Sequence, residues 1–407
     1  MPSLTVNEDS RLSLWLRVRE FAVPPTMIES ATARRTVGDW AGACAAARVD
    51  IDLDLHTTAR THGRELANRI RDDLRHLAPD LLRWHMPRIA PDGLLRPGLT
   101  VSLARYRDTA AHLVARTPPA WAGAGQRISL ALWDGSNAGP YPHPHPHRRF
   151  RLDLHRHLWD ARRAGELRFR SGPDRWVPEA RILLDAEGRA DGAVAVRLGR
   201  RHRLLLDLTA EHPAARVTAA PSGGDWPLLP DAATWVSPDL ALLRAGLIEA
   251  DRLHPLVAAA LVPGHSPAPA RRSSGERLVE CRGVRHRIGL VDGVLVPLDH
   301  DPAEIHRERL LFALTGTPLP CLRVIEEAHR DPVGLLDIRA RLDHGDVAGA
   351  LAAIEGLLGP GASLPEGALR DELERAARRR VQHGLFRSGL AEVGQKDREV
   401  PRQRSRR

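Results

Sequence analysis

Apolar residues recur at helical spacing near both ends of the chain and in shorter runs between them. The segments 58–82 and 366–385 each place aliphatic residues three or four positions apart, which predicts amphipathic helices. The middle of the chain instead carries β-like runs at 127–133, 150–154, 181–185, 193–198, 202–208, 278–281 and 285–298. The dipeptide Asp292-Gly293 separates two of these runs and predicts a tight hairpin. The pattern therefore predicts an α+β protein in which helical N- and C-terminal parts flank a central antiparallel β-rich region.

Turn and linker signals divide this pattern into regions. Residues 263–276 are rich in Pro, Ser and Gly, which is typical of a linker. Asp301-Pro302 is a helix-start signal, with an Asp cap followed by Pro at the first helical position. The predicted regions are 1–120 (helical N-terminal region), 121–262 (β-rich region with an inserted helix at 239–261), 263–276 (linker), 277–300 (β-hairpin), 301–392 (helical C-terminal region) and 393–407 (basic tail).

The two helical ends contain one internal similarity. Residues 38–48 and 345–355 align without gaps and are identical at 7 of 11 positions, beginning with Gly-Asp in each case. Gly closes one helix and Asp caps the next, so each copy predicts a helical hairpin. The pair resembles the helix–turn–helix unit of tetratricopeptide-type repeats, a resemblance that implies binding grooves but no catalytic residue. Generic hairpins in an alanine-rich protein would give the same pattern.

Composition limits the class of protein. The chain has 60 Lys+Arg against 51 Asp+Glu, with a single lysine, and its arginine and alanine richness resembles that of actinomycete proteins. The arginine excess is therefore partly a background effect. No apolar run approaches the ~18–20 residues of a membrane span, and three scattered cysteines cannot form a disulfide scaffold. These features predict a cytoplasmic protein with no membrane partner.

Positive charge is concentrated in two segments. Residues 143–170 contain eight arginines and three acidic residues, and residues 370–407 contain 12 basic and 6 acidic residues. Aromatic residues alternate with the arginines of the first segment, a combination that binds single-stranded nucleic acid. The candidate contact residues are Arg148, Arg149, Arg151, Arg156, Arg378, Arg379 and Arg380. A solvated helix face and terminus would carry the same charges.

The segment YPHPHPHRR at 141–149 suggests a second kind of site. Alternation with proline in an extended chain places His143, His145 and His147 roughly on one side, and His155 and His157 follow shortly after. Neutral imidazole is a common ligand of divalent metals, so these five histidines are the candidate metal ligands. An exposed loop with hydrated histidines is the alternative. The alternating aspartates of Asp50–His56 likewise suggest either a polar strand face or a cation site.

Motifs that would identify an enzyme are absent from the sequence. We find no P-loop, no G-x-G-x-x-G after a strand, no G-x-S-x-G and no H-E-x-x-H. The leading hypothesis is therefore a non-enzymatic interaction or adaptor protein that binds another macromolecule, most simply another protein, without a cofactor. The first alternative is a nucleic-acid-binding or processing protein that uses segments 143–170 and 370–407. The second is a metal-dependent hydrolase.

Overall fold

Helices at the two ends of the chain flank a central region of antiparallel sheets, which confirms the α+β class. The structure is a computed structural model. It describes residues 3–136, 139–170, 175–199, 202–209, 216–219, 224–234, 236–264, 277–281, 284–291, 294–297, 299–301, 303–307, 310, 335–358 and 367–390. Within these ranges, no helix combines the length and the apolar character that crossing a membrane requires.

The N-terminal part begins with helices. They are α1 (Ser3–Arg17), α2 (Pro25–Thr36), α3 (Trp40–Ala46), α4 (Leu55–His62), α5 (Arg64–His76) and α6 (Pro79–His85). The predicted helical face of α5 is confirmed, since its Leu66, Ile70 and Leu74 are buried in the main core. The segment expected as one helix over 58–82 is interrupted, because Gly63 adopts a positive φ of 94° and Leu77 is extended.

A four-stranded sheet packs against these helices. The strands of this part are β1 (Val49–Ile51), β2 (Arg88–Ile89), β3 (Leu94–Leu95), β4 (Thr100–Tyr106), β5 (Ala111–Arg116) and β6 (Ile128–Trp133). The sheet has the order β1-β6-β5-β4, with β1 parallel to β6 and the other pairs antiparallel, while β2 and β3 form a separate pair. Strands therefore occur inside the region 1–120 that the sequence predicts to be helical. The pairing of β1 with β6 is a long-range contact that local periodicity does not reveal.

A second, smaller core follows the sheet. It combines α8 (Trp176–Ala186), α9 (Asp231–Thr234) and an antiparallel sheet of β7 (Ala193–Arg197), β8 (Arg203–Asp207) and β9 (Arg216–Ala219), whereas α7 (Leu167–Arg170) buries Leu167 in the main core. The strand predicted at 181–185 is wrong because this segment belongs to α8, where Ala180, Leu183 and Leu184 bury one helical face. Segment 150–154 forms turns with one bridge from Arg151 to Ser102, so its predicted strand is also wrong.

The inserted helix and the hairpin are both present. The helix is divided into α10 (Pro238–Arg244) and α11 (Pro255–Leu261), and Pro255 begins the second helix instead of bending one long helix. The predicted hairpin is formed by β11 (Val284–Val291) and β12 (Val294–Pro297), with β10 (Arg277–Cys281) on the other side of β11. The turn residues Asp292-Gly293 and residues 265–276 of the predicted linker lie outside the described residues.

The described C-terminal part is helical. It contains α12 (Leu335–Asp343), α13 (Val347–Leu358) and α14 (Ala368–Arg387), which share a third core. The expected apolar face of α14 continues only partly, because Val381 is 64% exposed whereas Phe386 is buried against the loop at Ala120–Gln126. Residues 391–407, including the predicted basic tail, lie outside the described residues.

The two similar segments have the same local structure. Gly38 and Gly345 adopt positive φ angles of 81° and 80°, which allows each chain to turn between two helices. Asp39 then accepts a hydrogen bond from the backbone N–H of Gly42 at 2.8 Å, and Asp346 accepts one from that of Gly349 at 3.3 Å. The predicted capping roles of both aspartates are confirmed.

The second of these turns docks into the N-terminal part. His344 is 1% exposed, stacks on Phe21 and donates from Nε2 to the carbonyl oxygen of Asp92 at 2.9 Å. Gly345 lies directly against the backbone of Gly125, since a Cβ on Gly345 would be 2.2 Å from the carbonyl oxygen of Gly125. The helical hairpin α12–α13 is thus held by its turn and not only by its apolar face.

Candidate nucleic-acid interface

Three neighbouring strands place a row of polar and aromatic side chains on one face of the four-stranded sheet. Arg105 of β4 is paired in register with His112 of β5, and His112 is paired with Trp133 of β6. Residues opposite one another in adjacent strands project from the same face. The next residues along the strands, such as Leu113, project from the other face into the main core. The row Arg105–His112–Trp133 therefore faces away from the helices.

The proline- and histidine-rich segment lies across this face. Its extended backbone is fixed to β4 because the N–H of His147 donates to the carbonyl oxygen of Thr100 at 2.9 Å, and the Thr100 hydroxyl donates to the carbonyl oxygen of His143 at 2.5 Å. This attachment places the imidazole of His145 5.4 Å from the Trp133 ring. His112 contacts the same ring at 5.3 Å, also edge to face. The two imidazoles thus flank one indole.

The second core supplies the opposite wall of a cleft of about 530 Å³. We refer to it as the arginine–tryptophan cleft. From the sheet and the loop come Arg105, His112, Trp133, His145, Pro146, Arg148 and Arg151, and from the second core come Leu183, Glu187, Arg189, Asp225, Trp226, Pro227 and Leu228. The cleft therefore lies where two packed units meet, which is a common position for ligand sites.

Ion pairs divide the arginines of the cleft into fixed and accessible ones. Arg151 is only 14% exposed and donates to both Asp153, at 2.8 Å, and Glu187, at 2.7 Å, so its guanidinium is held in place. Arg148 is 83% exposed, and its Nη1 lies 3.3 Å from Oδ1 of Asp225, which is 95% exposed. Arg105 lies 3.9 Å from Glu187. Exposed pairs of this kind contribute only about 0–1 kcal/mol.

His112 is held in a defined orientation. Its Nδ1 lies 2.9 Å from the hydroxyl oxygen of Ser102, a fully buried residue, which leaves Nε2 as the ring nitrogen not engaged by Ser102. Burial lowers the pKa of His112 below its ordinary value and outweighs the charge of Asp153, which raises the pKa, while the positive charges of Arg105 and Arg151 lower it by smaller amounts. His112 is consequently neutral at neutral pH.

The histidines predicted to bind a metal do not converge. His145 contacts Trp133 and His147 contacts Phe150, while His143 is engaged through its backbone. His155 and His157 lie in the protein interior, 2% and 4% exposed. In the part of the chain that the structure describes, no group of three or more His, Cys, Asp or Glu side chains is placed to hold one ion.

His155 and His157 belong to a buried polar cluster. His155 lies 3.1 Å from Glu179 through Nε2, and Arg170 donates to both carboxylate oxygens of Glu179 at 2.7 and 2.5 Å. Burial alone would raise the pKa of Glu179, but the hydrogen bonds from His155 and Arg170 outweigh it and lower the pKa to about 2. Burial also holds the pKa of His157 well below its ordinary value. Because all these groups are enclosed, the cluster stabilises the junction of α7 and α8 and offers no surface to a substrate.

Four of the other five arginines predicted to contact nucleic acid are paired with carboxylates. Arg149 pairs with Asp231 at 2.6 Å, and Arg156 pairs with Asp73 and Asp160. On α14, Arg378 lies 3.5 Å from Glu374 and Arg379 lies 3.3 Å from Asp343, while Arg380 is exposed on the same helix. None of these five lines the cleft. Of the seven predicted arginines, the structure brings only Arg148 and Arg151 to it.

The alternating aspartates do bind cations, but the cations are arginines of the same chain. Asp50 accepts hydrogen bonds from Arg127 at 2.8 and 2.5 Å and pairs with Arg387 at 2.7 Å. Asp52 also pairs with Arg387, and Asp54 caps α4. Burial would raise the pKa of Asp50, but the arginines outweigh it and hold the pKa well below its usual range. The end of α14 is thereby fixed to the edge of the sheet.

Several residues of the cleft are not indicated by the sequence. Arg105, His112 and Trp133 lie on three successive strands and are aligned in one row by the register of β4, β5 and β6. Alternation within β5 gives a weak signal, because His112 is the polar position among the apolar residues of Ala111–Ala115. Trp226 comes from the second core and has no local signal at all.

Among the residues that the structure describes, the lining of the cleft combines two indole rings, four guanidinium groups and two imidazoles with only two carboxylates. This lining fits a ligand that carries both anionic groups and planar rings. Comparisons of the chain with models of protein families, with curated proteins and with solved structures give no match in any of the three.

Proposed function

We propose that this protein binds single-stranded nucleic acid in the arginine–tryptophan cleft, as a cytoplasmic protein. The observation that supports the proposal is that Trp133 and Trp226 line the same cleft as Arg105, Arg148 and Arg189. Indole rings stack on bases of any sequence, and arginines neutralise the phosphates between them. Each stacked base contributes about 1–3 kcal/mol to the binding free energy, so stacking on two tryptophans contributes substantially to the affinity.

The acidic residues of the cleft do not oppose this function strongly. Asp225 is 95% exposed and Glu187 is 35% exposed, so their pairs with Arg148 and Arg105 are weakened by solvent. A phosphate can replace Asp225 beside Arg148 at small cost, and it gains a charge-assisted hydrogen bond. The cleft volume of about 530 Å³ also lies within the ~300–1,000 Å³ of ordinary ligand sites.

The direct test is fluorescence anisotropy with dye-labelled single-stranded DNA and RNA at low salt. We expect Trp226→Ala to weaken binding by about 1–3 kcal/mol through the lost stacking, and Arg148→Ala to weaken it through the lost phosphate contact. Arg163→Ala is the matched control, because Arg163 is also an exposed, ion-paired arginine and does not line the cleft. Absence of binding by the wild-type protein, or equal losses in Arg148→Ala and Arg163→Ala, would refute the proposal.

A second candidate function, that of an adaptor, is favoured by a different cavity. A groove of about 260 Å³ lies beside α14, and the apolar part of its lining is formed by Ile89, Leu94, Leu95, Pro97, Pro118, Ala120, Trp121, Ala124 and Leu342. Trp121 is 49% exposed, and Arg127, Asp343 and Arg379 add charged groups to the lining. Tryptophan and arginine are the residues that most often anchor protein partners. The occupant proposed for this groove is an apolar peptide segment of another protein.

This candidate is tested by photo-crosslinking in cells. A crosslinking amino acid at position 121 should capture one reproducible partner, and the same group at position 169 should not. Phe169 is the appropriate control position because it is also aromatic and is 79% exposed. The same set of crosslinked proteins from both positions would exclude a specific groove.

A further inference from the structure

Two histidines of the arginine–tryptophan cleft contact the same indole. His112 projects from β5 and His145 from the loop above it, and their rings lie 5.3 and 5.4 Å from the Trp133 ring. The sequence favours a non-enzymatic role because it contains no catalytic motif, and it does not indicate that these two residues meet. Folding places both of them beside the arginines that the proposed function assigns to phosphates.

The two imidazoles have different surroundings. His112 is half-buried, fixed by the buried hydroxyl of Ser102, and flanked by Arg105 and Arg151. His145 is exposed on its loop. When two titratable groups in one cleft have unlike environments, the enclosed neutral one is suited to accept a proton and the solvated one to donate a proton.

We propose that the cleft cleaves single-stranded RNA without a metal ion, with His112 as the general base and His145 as the general acid. The inference rests on the proposed function, because the strand must first bind in the same cleft. The substrate class is RNA, because acid–base cleavage of this kind uses the 2′-hydroxyl as the nucleophile.

The reaction is a transfer of the phosphoryl group within the strand. Nε2 of His112 removes the proton of the 2′-hydroxyl, and the 2′-oxygen forms a bond to the adjacent phosphorus. The bond between that phosphorus and the 5′-oxygen breaks, and the protonated imidazole of His145 gives its proton to the departing oxygen. The products are a 2′,3′-cyclic phosphate and a free 5′-hydroxyl end, so no oxidant, reductant or water is consumed.

Arg151 supplies the fixed positive charge for this reaction. Its guanidinium lines the cleft and is held by Asp153 and Glu187, so it does not need to reorganise as negative charge develops on the non-bridging phosphoryl oxygens. Preorganised donors of this kind are commonly the largest contribution to catalysis. Arg148, exposed on the loop, is suited to position a neighbouring phosphate instead.

The experiment uses the full-length protein in EDTA and a labelled DNA strand that contains one ribonucleotide. We expect cleavage only after the ribonucleotide, with a 2′,3′-cyclic phosphate identified by mass spectrometry, and no cleavage of the all-DNA strand. His112→Gln and His145→Gln should each lower the cleavage rate by about 10²–10⁴-fold while the strand still binds. His147→Gln is the matched control, because His147 is on the same loop and does not line the cleft.

The outcomes separate the two proposals. Binding without cleavage would overturn the cleavage proposal and leave the binding function intact, whereas absence of binding would remove both. Cleavage that EDTA abolishes, or that persists unchanged in both glutamine variants, would also overturn it. Should His112→Gln fail to fold by circular dichroism, His145→Gln and the all-DNA strand still decide the result.

Discussion

Arg48, which follows the first helical hairpin, donates a hydrogen bond to Asp346, the cap residue of the second, across 298 positions of the chain. The Nη2 and Oδ1 atoms are 2.9 Å apart, and the two side chains are 15% and 10% exposed. Arg48 also donates to the carbonyl oxygen of His344 at 2.9 Å. The two similar segments of the sequence are therefore in direct contact, and one of them holds the turn of the other.

Replacement of Arg48 should destabilise the protein strongly. Arg48→Ala removes one of two arginines that contact the largely buried carboxylate of Asp346, the other being Arg341 at 3.3 Å, and a hydrogen bond to a charged group contributes about 1.5–3 kcal/mol. Urea unfolding followed by circular dichroism measures the loss. Arg34→Ala is the matched control, because Arg34 pairs with Asp39 in the first hairpin at the same 2.9 Å but is 55% exposed. We expect a loss of about 0–1 kcal/mol there, and equal losses in the two variants would contradict the structural role of Arg48.

The two turn glycines should respond differently to the same substitution. Gly38 and Gly345 both have φ near 80°, where an alanine costs roughly 1–2 kcal/mol. A Cβ at Gly38 meets no atom within 4 Å, whereas one at Gly345 would lie 2.2 Å from the carbonyl oxygen of Gly125. Gly345→Ala should therefore cost about 1–3 kcal/mol more than Gly38→Ala in urea unfolding, because the docked turn must shift. Equal costs would mean that the turn is not packed against Gly125.

The sequence predicts local structure at these turns but not their environment. Gly38-Asp39 and Gly345-Asp346 identify two helix starts, because a glycine turn and an aspartate cap act within a few residues. The burial of His344 depends instead on Phe21 and Asp92, which are more than 250 positions away. The same limit explains why the strand predicted at 181–185 is wrong. A short apolar run fits a strand or a buried helix equally well until its packing partners are known.

The candidate site likewise contains residues that the sequence indicates and residues that only the folded structure brings in. His145, Arg148 and Arg151 are indicated by the charge and composition of one segment, and two of these three are predicted there as nucleic-acid contacts. His112 and Trp133 enter the site only because the register of three strands aligns them. A one-residue shift in that register would place both side chains in the core. Register depends on long-range pairing, so a single sequence does not reveal this part of the site.

Acid should destabilise the folded protein through His344. Burial, followed by the charges of Arg88 and Arg83, lowers the pKa of His344 to about 3 from 6.5, against a hydrogen bond to the Asp92 carbonyl oxygen that raises it. Between these values the unfolded chain binds a proton that the folded protein does not. The free energy of unfolding is therefore unaffected above pH 6.5 and falls by up to about 1.4 kcal/mol per pH unit as the pH drops below it.

The variant His344→Gln tests this contribution. It keeps a donor for the Asp92 carbonyl oxygen and does not titrate. Its unfolding free energy, measured in urea titrations, should therefore fall less steeply between pH 6.5 and 4.5. The difference in slope from the wild type should correspond to about one proton. Burial also lowers the pKa of His157, so His157 contributes to the pH dependence of the unfolding free energy in both proteins. His143→Gln should match the wild type, because His143 is exposed. A slope in His344→Gln as steep as in the wild type would show that His344 is not buried as a neutral group.

Salt should reveal how many phosphates the cleft contacts. The logarithm of the binding constant for a single strand falls with the logarithm of salt concentration by about 0.7 for each phosphate neutralised. Arg148→Ala and Arg189→Ala should each reduce this slope by about that amount in anisotropy titrations, since both arginines line the cleft. Arg163→Ala should leave the slope unchanged. If all three variants have the wild-type slope, the cleft arginines do not contact phosphate.

RNA cleavage should rise with pH through the titration of His112, because a general base must be unprotonated. The groups that contact or face His112 are Ser102, Arg105, Arg151 and Asp153, and burial with the two arginines lowers its pKa below the ordinary 6.5. The acidic limb of kcat/KM should therefore lie below pH 6.5, so that the base is already active at neutrality. Arg105→Gln removes one positive charge and should move this limb to higher pH. A limb above pH 6.5 in the wild type, or one that Arg105→Gln leaves in place, would show that another group is the base.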